Sequence, residues 1–259
     1  MEMDFPAKNS ELLARPGVPA SSEIRTLVEV RVIMHKTVDL PILYFGTPVA
    51  IISTMNEDGA PNLAPMSSAW WLGQSCMLGL GAALKTSENL LRERECVINL
   101  PSSGQVTHVD HLALTTGRDP VPEYKARMGY EYVPSKFEIV GLTPMKSDLV
   151  APPRVKECPV QMEGTIYQVH HFGKQVTANA FEVHIERVHV DDELLIDTDE
   201  ARVDALRWNP LIMSFREFFG IGRQVHPSRL ATFPVSMFRN PKQDLGTPSF
   251  SPAVGERAG

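Results

Sequence analysis

Between Asn62 and Asn89 the chain reads NLAPMSSAWWLGQSCMLGLGAALKTSEN, and the residue types there come in an order that could do chemistry. Small and hydroxyl-bearing residues, Ala64-Pro65-Met66-Ser67-Ser68-Ala69, occupy one expected strand, and Gly79-Leu80-Gly81-Ala82-Ala83 ends the next. Small side chains on adjacent strands leave room for a flat ring against the backbone, whose N–H groups can bond ring oxygens and nitrogens. Lys85-Thr86 follows at an expected helix start, where a cation, a hydroxyl and the positive end of the helix dipole favour a phosphate. A ring platform beside a phosphate cradle is the shape of a mononucleotide site.

Other chemistries fit less well. Gly79 to Leu84 offers strand, glycines and helix in dinucleotide-binding order, but Leu84 stands at the third glycine position, and Asn99-Leu100 stand where an acidic ribose ligand is needed. Ser67 and Ser68 lie outside a G-x-S-x-G elbow and have no ordered acid and histidine partners, which disfavours a hydrolase. His108, Asp110 and His111 share an expected loop near the ring site without a third strong ligand, so no metal is expected, and His111 is a candidate for substrate contact. Cys76, Cys96 and Cys158 are odd in number, widely spaced and without C-x-x-C, which suggests neither a disulfide framework nor a thiolate zinc site.

The charge balance narrows the partners. A net charge of −6 with no clustered Lys/Arg surface argues against nucleic-acid binding, which requires phosphate neutralisation. The N-terminus lacks the basic start and apolar core of a signal peptide, and the most apolar stretch, Leu40 to Ile52, is broken by Pro41, Gly46 and Pro48. The expectation is a cytoplasmic protein with no membrane span.

These residues must be positioned by strands. PVAIISTM, from Pro48 to Met55, is β-branched and apolar; Asn56-Glu57-Asp58-Gly59 can turn, and a strand should return through Ala60 to Leu72. Further strands are expected from Ser75 to Ala82 and from Cys96 to Leu100, with a helix over residues 85–95 capped by Thr86 or Ser87 between them. Pro101 to Pro153 breaks into short helical or irregular pieces. Long strands are expected over 160–169 and 176–190, where the apolar parity slips near Glu186 and predicts a bulge. Arg202 to Phe219 reads as partly helical, interrupted by Pro210. The expected organisation is an N-terminal extension over 1–40, one domain over 41–200 and a C-terminal helix and Pro/Ser-containing tail over 201–259. Strands without regular βαβ alternation favour a mainly β protein, an antiparallel barrel with peripheral helices.

Three segments carry a more specific likeness. PVAIISTMNEDGAPNLAPMSSAWW, LKTSENLLRERECVINL and KFEIVGLTPMKSDLVAPPRVKECPVQMEGTIYQV, in that order between Pro48 and Leu195, resemble the flavin reductase-like family with its FMN-binding split β-barrel. The resemblance implies a homodimer that binds FMN, or FAD, near the subunit interface and takes electrons from NAD(P)H. By position, it implies Asn62, Pro65, Ser67, Ser68 and Ala69 along the isoalloxazine, backbone contacts from Gly81, Ala82 and Ala83, and Lys85, Thr86 and Asn89 at the ribityl chain or phosphate. Trp70 and Trp71 are candidates for a substrate pocket, although strand alternation lets only one face the flavin. The flavin carries the electrons, so no side-chain acid or base is demanded; His111 and Glu138 are the catalytic candidates. Many family members close on a glycine-rich segment ending in Tyr, whereas Phe219 to His226 has none and the chain runs on. The expected function is an NAD(P)H:flavin reductase, with a partner monooxygenase as one destination for reduced flavin. The alternatives are an FMN-retaining enzyme that reduces or oxygenates a dedicated small organic substrate, and a non-catalytic flavin-binding or electron-carrying protein.

Overall fold

The computed structural model describes residues 33–174, 177–196 and 202–229. The chain divides at Pro41, and 33–41 hold no helix or strand. Most of the N-terminal extension and the expected tail lie outside the described residues.

From Ile42 onward the framework is a seven-stranded antiparallel sheet. It comprises β2 (Ala50–Met55), β3 (Pro61–Met66), β4 (Ala69–Leu72), β5 (Ser75–Gly81), β6 (Glu95–Leu100), β11 (Val160–Phe172) and β12 (Ala178–Val190). Their order is β3-β2-β6-β11-β12-β5-β4. The two edges, β3 and β4, are therefore consecutive in sequence, and Ser67-Ser68 alone carries the chain from one edge to the other. That short link forces the sheet to curl until its edges approach at a seam. The edges are not paired with each other, so the barrel is split.

The smaller strands decorate this sheet. β1 (Phe45–Pro48) pairs with β15 (Ile212–Ser214), which pairs with β16 (Glu217–Phe219). The two-residue pairs are β7 (Thr115–Thr116) with β8 (Glu131–Tyr132), β9 (Pro144–Met145) with β10 (Arg154–Val155), and β13 (Leu195–Ile196) with β14 (Arg202–Val203). The helices are α1 (Lys85–Glu93), α2 (Val106–Ala113), α3 (Glu123–Ala126) and α4 (Lys136–Ile139).

Side-chain alternation sorts the core. Cys76, Leu78 and Leu80 of β5 join Ile52, Ile98, Phe181 and Val183 inside the barrel, while Met77, Gly79 and Gly81 take the other face. A second cluster outside the barrel packs Val109 and Leu112 of α2 and Phe137 of α4 on Ile51 and Leu63. β2 is thus buried on both faces, which explains its continuous apolar run.

The slip of apolar parity near Glu186 is a bulge. Glu163 opposes Arg187, Gly164 opposes Ile185, and Glu186 is left without a partner position. A side chain on the glycine opposite would force its neighbours to shift, because a Cβ at Gly164 would lie 2.6 Å from Val183 Cγ1 and 2.8 Å from the His184 carbonyl oxygen. The neighbouring Glu163 is fully buried and accepts hydrogen bonds from the backbone N–H groups of Asp148, Leu149 and Val150. Its Oε1 also meets His189 Nε2 at 2.6 Å. Burial works against this charge, but the N–H donors and His189 outweigh it and hold the carboxyl below the ordinary glutamate range. Asp148, Glu163 and His189 bring ligand atoms within 4.8 Å of one another, yet Asp148 is taken by Arg187 at 2.6 Å, so the group is an anchor for the 147–150 turn.

Three expectations are corrected. Arg202 to Phe219 is not helical: it forms β14, β15 and β16, because Pro210 bars a helix and Phe215, at φ 56, turns the chain between β15 and β16. The cap of α1 is Leu84, with no side-chain cap bond, since Ser87 Oγ donates to the Gly81 carbonyl at 2.8 Å and Thr86 Oγ1 accepts from Asn62. His108, Asp110 and His111 lie on α2 rather than in a loop, and His108 Nδ1 bonds the Val140 carbonyl at 2.6 Å. The close approach at the bulge gives a test: Gly164→Ala should lower stability by about 1–3 kcal/mol, read as a lower urea midpoint; an unchanged midpoint would contradict the packing described.

Candidate functional site

A cavity of about 390 Å³ opens over the seam. Its floor is Ala64 to Ser68, from the end of β3 and the crossing link, together with Gly79, Leu80 and Gly81 of β5. Gly79 and Gly81 point away from the barrel core, so bare backbone is presented there. The two halves of the floor are in close contact: the Gly79 N–H donates to the Ser68 carbonyl at 2.8 Å, and a Cβ at Gly79 would lie 3.2 Å from Ser68 Cβ. Val109 and Ala113 of α2, Leu84, Met213 and Phe218 form apolar walls, and the Tyr44 hydroxyl sits 2.7 Å from Ser68 Oγ. A mostly apolar slot with a few polar groups is what a planar heterocycle requires.

A second, smaller cavity of about 110 Å³ shares Ala64, Pro65, Leu84 and Ala113 with the first. Its character is different. Lys85, Thr86, Lys125 and Lys136 line it together with Asn62, Gly117 and Tyr130, and among the described residues no carboxylate does. Asn62 Nδ2 donates to Thr54 and Thr86 Oγ1 at 3.3 and 3.2 Å, leaving its buried Oδ1 without a partner. Lys125 and Lys136 are each under a tenth exposed, at 7% and 4%. Lys136 Nζ donates to the Leu63 carbonyl at 2.7 Å, and burial, reinforced by the charge of Lys125, brings its pKa down to about 7. Burial and then Arg118 lower the pKa of Lys125, whose Nζ stands 5.0 Å from the centre of the Tyr130 ring. Lys85 is committed elsewhere, to Glu88 at 2.7 Å, and Arg118 holds the other oxygen of Glu88 at 2.7 Å. Buried cations without a counter-charge, beside an unpartnered amide oxygen, fit an anionic group bearing hydroxyls. The slot and the pocket together match a heterocycle carried on a phosphorylated polyol.

Residues 42–222 match the flavin reductase like domain family. The chain belongs to that family. It is 39% identical over 191 residues to YdfE, an uncharacterized protein of Bacillus subtilis (strain 168), covering 73% of this chain and 91% of that protein. Among solved structures it is similar to flavoredoxin of Desulfovibrio vulgaris (Miyazaki F), with a TM-score of 0.62 and 24% identity over 76% of this chain and 99% of that one. Nitrilotriacetate monooxygenase component B from Bacillus cereus superposes with a TM-score of 0.58 at 20% identity, covering 71% of this chain and 88% of that one. The fold shared with these proteins is the split barrel of the flavin reductases. No helix among the described residues is long and apolar enough to cross a membrane.

In this flavin reductase-like chain the fold brings together part of the expected constellation. Pro65, Ser67, Ser68 and Gly81 line the slot; Asn62, Pro65, Lys85 and Thr86 line the cationic pocket. Ala69 instead packs inside the barrel. Ala82 and Ala83 line neither cavity; the Ala82 N–H donates to the Thr177 carbonyl, and the Ala83 carbonyl accepts from Arg118. Asn89 is buried and braces α1 on β2 through Thr54 and Asn56. Trp71 packs on the barrel core and Trp70 is 56% exposed on the opposite side of β4; neither lines the slot. His111 and Glu138 are exposed, on α2 and α4, and line neither cavity. Sequence reading missed Tyr44, Val109, Met213 and Phe218 in the slot and Gly117, Lys125 and Lys136 in the pocket. Val109, Gly117, Lys125 and Lys136 lie in the irregular 101–153 insert, Lys136 at the head of the third family-like segment; Tyr44 precedes the first expected strand, and Met213 and Phe218 fall in the segment read as partly helical.

The depressed pKa of Lys136 links stability to pH. Between about 7 and the ordinary lysine value of 10.5, the unfolded chain binds the proton more readily than the folded one, so stability rises with pH across that window. Below pH 7 the cost of the buried charge is present in full. Lys136→Met removes it, while the lost bond to Leu63 adds an offset independent of pH. The melting temperature of Lys136→Met relative to the unsubstituted protein should therefore be highest near pH 6 and fall toward pH 10; a constant difference would contradict the burial of a charged lysine.

Proposed function

We propose that this chain is an FMN-dependent oxidoreductase of the NAD(P)H:flavin reductase type. One observation carries the proposal: an apolar slot on bare strand backbone adjoins a lysine-lined pocket, in the order a flavin mononucleotide requires. Pro65, Ser67, Ser68 and Gly81 would hold the ring, and Asn62 and Thr86 the ribityl chain and phosphate, with Lys85 on the pocket wall paired to Glu88. When bound, FMN supplies the two-electron chemistry, accepting hydride from a nicotinamide.

The chain's own part is positioning. The floor fixes one face of the ring, and Val109, Ala113, Met213 and Phe218 exclude water along its sides. Among the described residues no carboxylate, histidine or lysine lines the slot, which accords with hydride transfer and disfavours acid–base hydrolysis there. A second copy of this chain is the proposed partner, because edge strand β4 exposes Trp70 and Leu72, at 56% and 76%, beside the floor. Supply of reduced flavin to a monooxygenase is supported by the shared fold of the nitrilotriacetate monooxygenase component. Three free, buried cysteines accord with a reducing cytoplasm.

The test is an anaerobic absorbance experiment on the purified protein with added FMN, followed by NADH and, separately, NADPH. Bleaching of the flavin band by one nucleotide at a rate above that of free FMN is the expected result and identifies the donor. A band that neither nucleotide bleaches would overturn the reductase proposal.

A further inference from the structure

We propose that Tyr44 is a positioning residue for the flavin: its phenol donates to Ser68 Oγ, leaves the Ser68 hydroxyl proton for the slot, and so raises the reduction potential of the bound ring. The inference rests on the flavin reading of the slot and goes beyond it, to the residue that sets how readily that ring is reduced.

Tyr44 stands immediately before β1, well outside the Asn62 to Asn89 stretch, and its place at the slot is fixed from the other end of the domain. The Phe215 N–H donates to the Tyr44 carbonyl at 2.7 Å, and the rings of Phe45 and Phe215 meet edge to face with centroids 4.7 Å apart. Phe215 is the left-handed residue that turns β15 into β16, the strands whose Met213 and Phe218 wall the slot. The backbone of Tyr44 is therefore clamped to the same turn that shapes the wall. From there its hydroxyl reaches Ser68 Oγ at 2.7 Å.

Two hydroxyls that share one hydrogen bond differ in which of them donates. Each carries one proton and two acceptor lone pairs. The phenol is the stronger acid and the better donor, and the alkyl oxygen is the better acceptor. With the phenol donating, the Ser68 proton has no second partner among the described residues and is left for the cavity that Ser68 lines. The bond into Ser68 Oγ also polarises its O–H and strengthens it as a donor. Among the described residues no lysine, arginine or histidine lines the slot, so electron density added to a ring there has to be met by hydrogen-bond donors. A fixed donor aimed at charge that appears only on reduction favours the reduced ring over the oxidised one.

The test is the midpoint potential of FMN bound to the full chain, measured by equilibration with a reference dye, in the unsubstituted protein, Tyr44→Phe, Ser68→Ala and the double variant. Tyr44→Phe removes only the hydroxyl of a side chain that is 39% exposed, and it keeps the backbone bond from Phe215. Its melting temperature and its affinity for oxidised FMN should therefore stay close to those of the unsubstituted chain. Ser68→Ala should weaken reduced FMN relative to oxidised FMN about tenfold, the scale of one hydrogen bond to a charged group, which lowers the potential by about 30 mV for two electrons. Tyr44→Phe should lower it by about threefold, or about 15 mV, because the Ser68 donor remains but is neither oriented nor polarised. The double variant should match Ser68→Ala, since Tyr44 acts only through Ser68. A potential unchanged or raised in Tyr44→Phe overturns the inference, as does one unchanged in Ser68→Ala. A further fall on adding Tyr44→Phe to Ser68→Ala overturns the relay through Ser68. Loss of oxidised FMN by Tyr44→Phe at an unchanged melting temperature also overturns it, because Tyr44 would then hold the cofactor itself. Failure of FMN to bind the unsubstituted chain would instead remove the flavin reading, and this inference with it.

Discussion

The architecture depends on one topological constraint: the strands at the two edges of the sheet are joined by only Ser67 and Ser68. A chain that leaves one edge and enters the other across two residues can do so only if the sheet curls until those edges nearly touch. The crossing must then pass close to a neighbouring strand, and it does, with the Ser68 carbonyl accepting from the Gly79 N–H at 2.8 Å. Bulky residues at either place would push the edges apart. The small residues at 64–69 and 79–83 are a packing necessity first, and the shallow floor they leave for a ligand follows from it.

Around that floor the chain separates two kinds of environment. The slot is walled by apolar side chains from α2, β15 and β16, which keep a ring dry. Next to it, three lysines and an unpartnered amide oxygen line a pocket small enough for one anionic group. Isolated buried charges destabilise a fold, and two of these lysines carry that cost in the ligand-free chain. The barrel offsets it elsewhere: Glu163 ties the 147–150 turn through three backbone donors and His189. The site is thus strained electrostatically on a frame anchored by that network.

Much of the frame was legible in the sequence, for local reasons. Alternation on β5, the turn at Asn56 to Gly59 and the parity slip that became the Glu186 bulge are one-dimensional signals of strand geometry. Ser67, Ser68, Gly81, Lys85 and Thr86 were legible because they sit within one contiguous stretch. The C-terminal segment was misread because its apolar residues mimic a helical pattern, whereas Pro210 and the left-handed Phe215 set the actual turns. Lys125 carried no signal and Lys136 only its place at the head of the third family-like segment; the packing of α4 on β3 brings Lys136 to the pocket, and α3 brings Lys125. Asn89 and Ala69 show the converse: residues inside the informative stretch whose side chains go to bracing and to the barrel core.

The most direct test of a flavin at the seam is FMN binding to a chain whose floor is filled. Gly81 has an ordinary backbone conformation, and a Cβ there meets only Leu84, at 3.5 Å, so Gly81→Val should fold and occupy the slot. Fluorescence titration, with the melting temperature as a control for folding, should show one FMN bound per unsubstituted chain and none to Gly81→Val at comparable stability. A Gly81→Val protein that binds FMN as tightly as the unsubstituted chain would contradict the account.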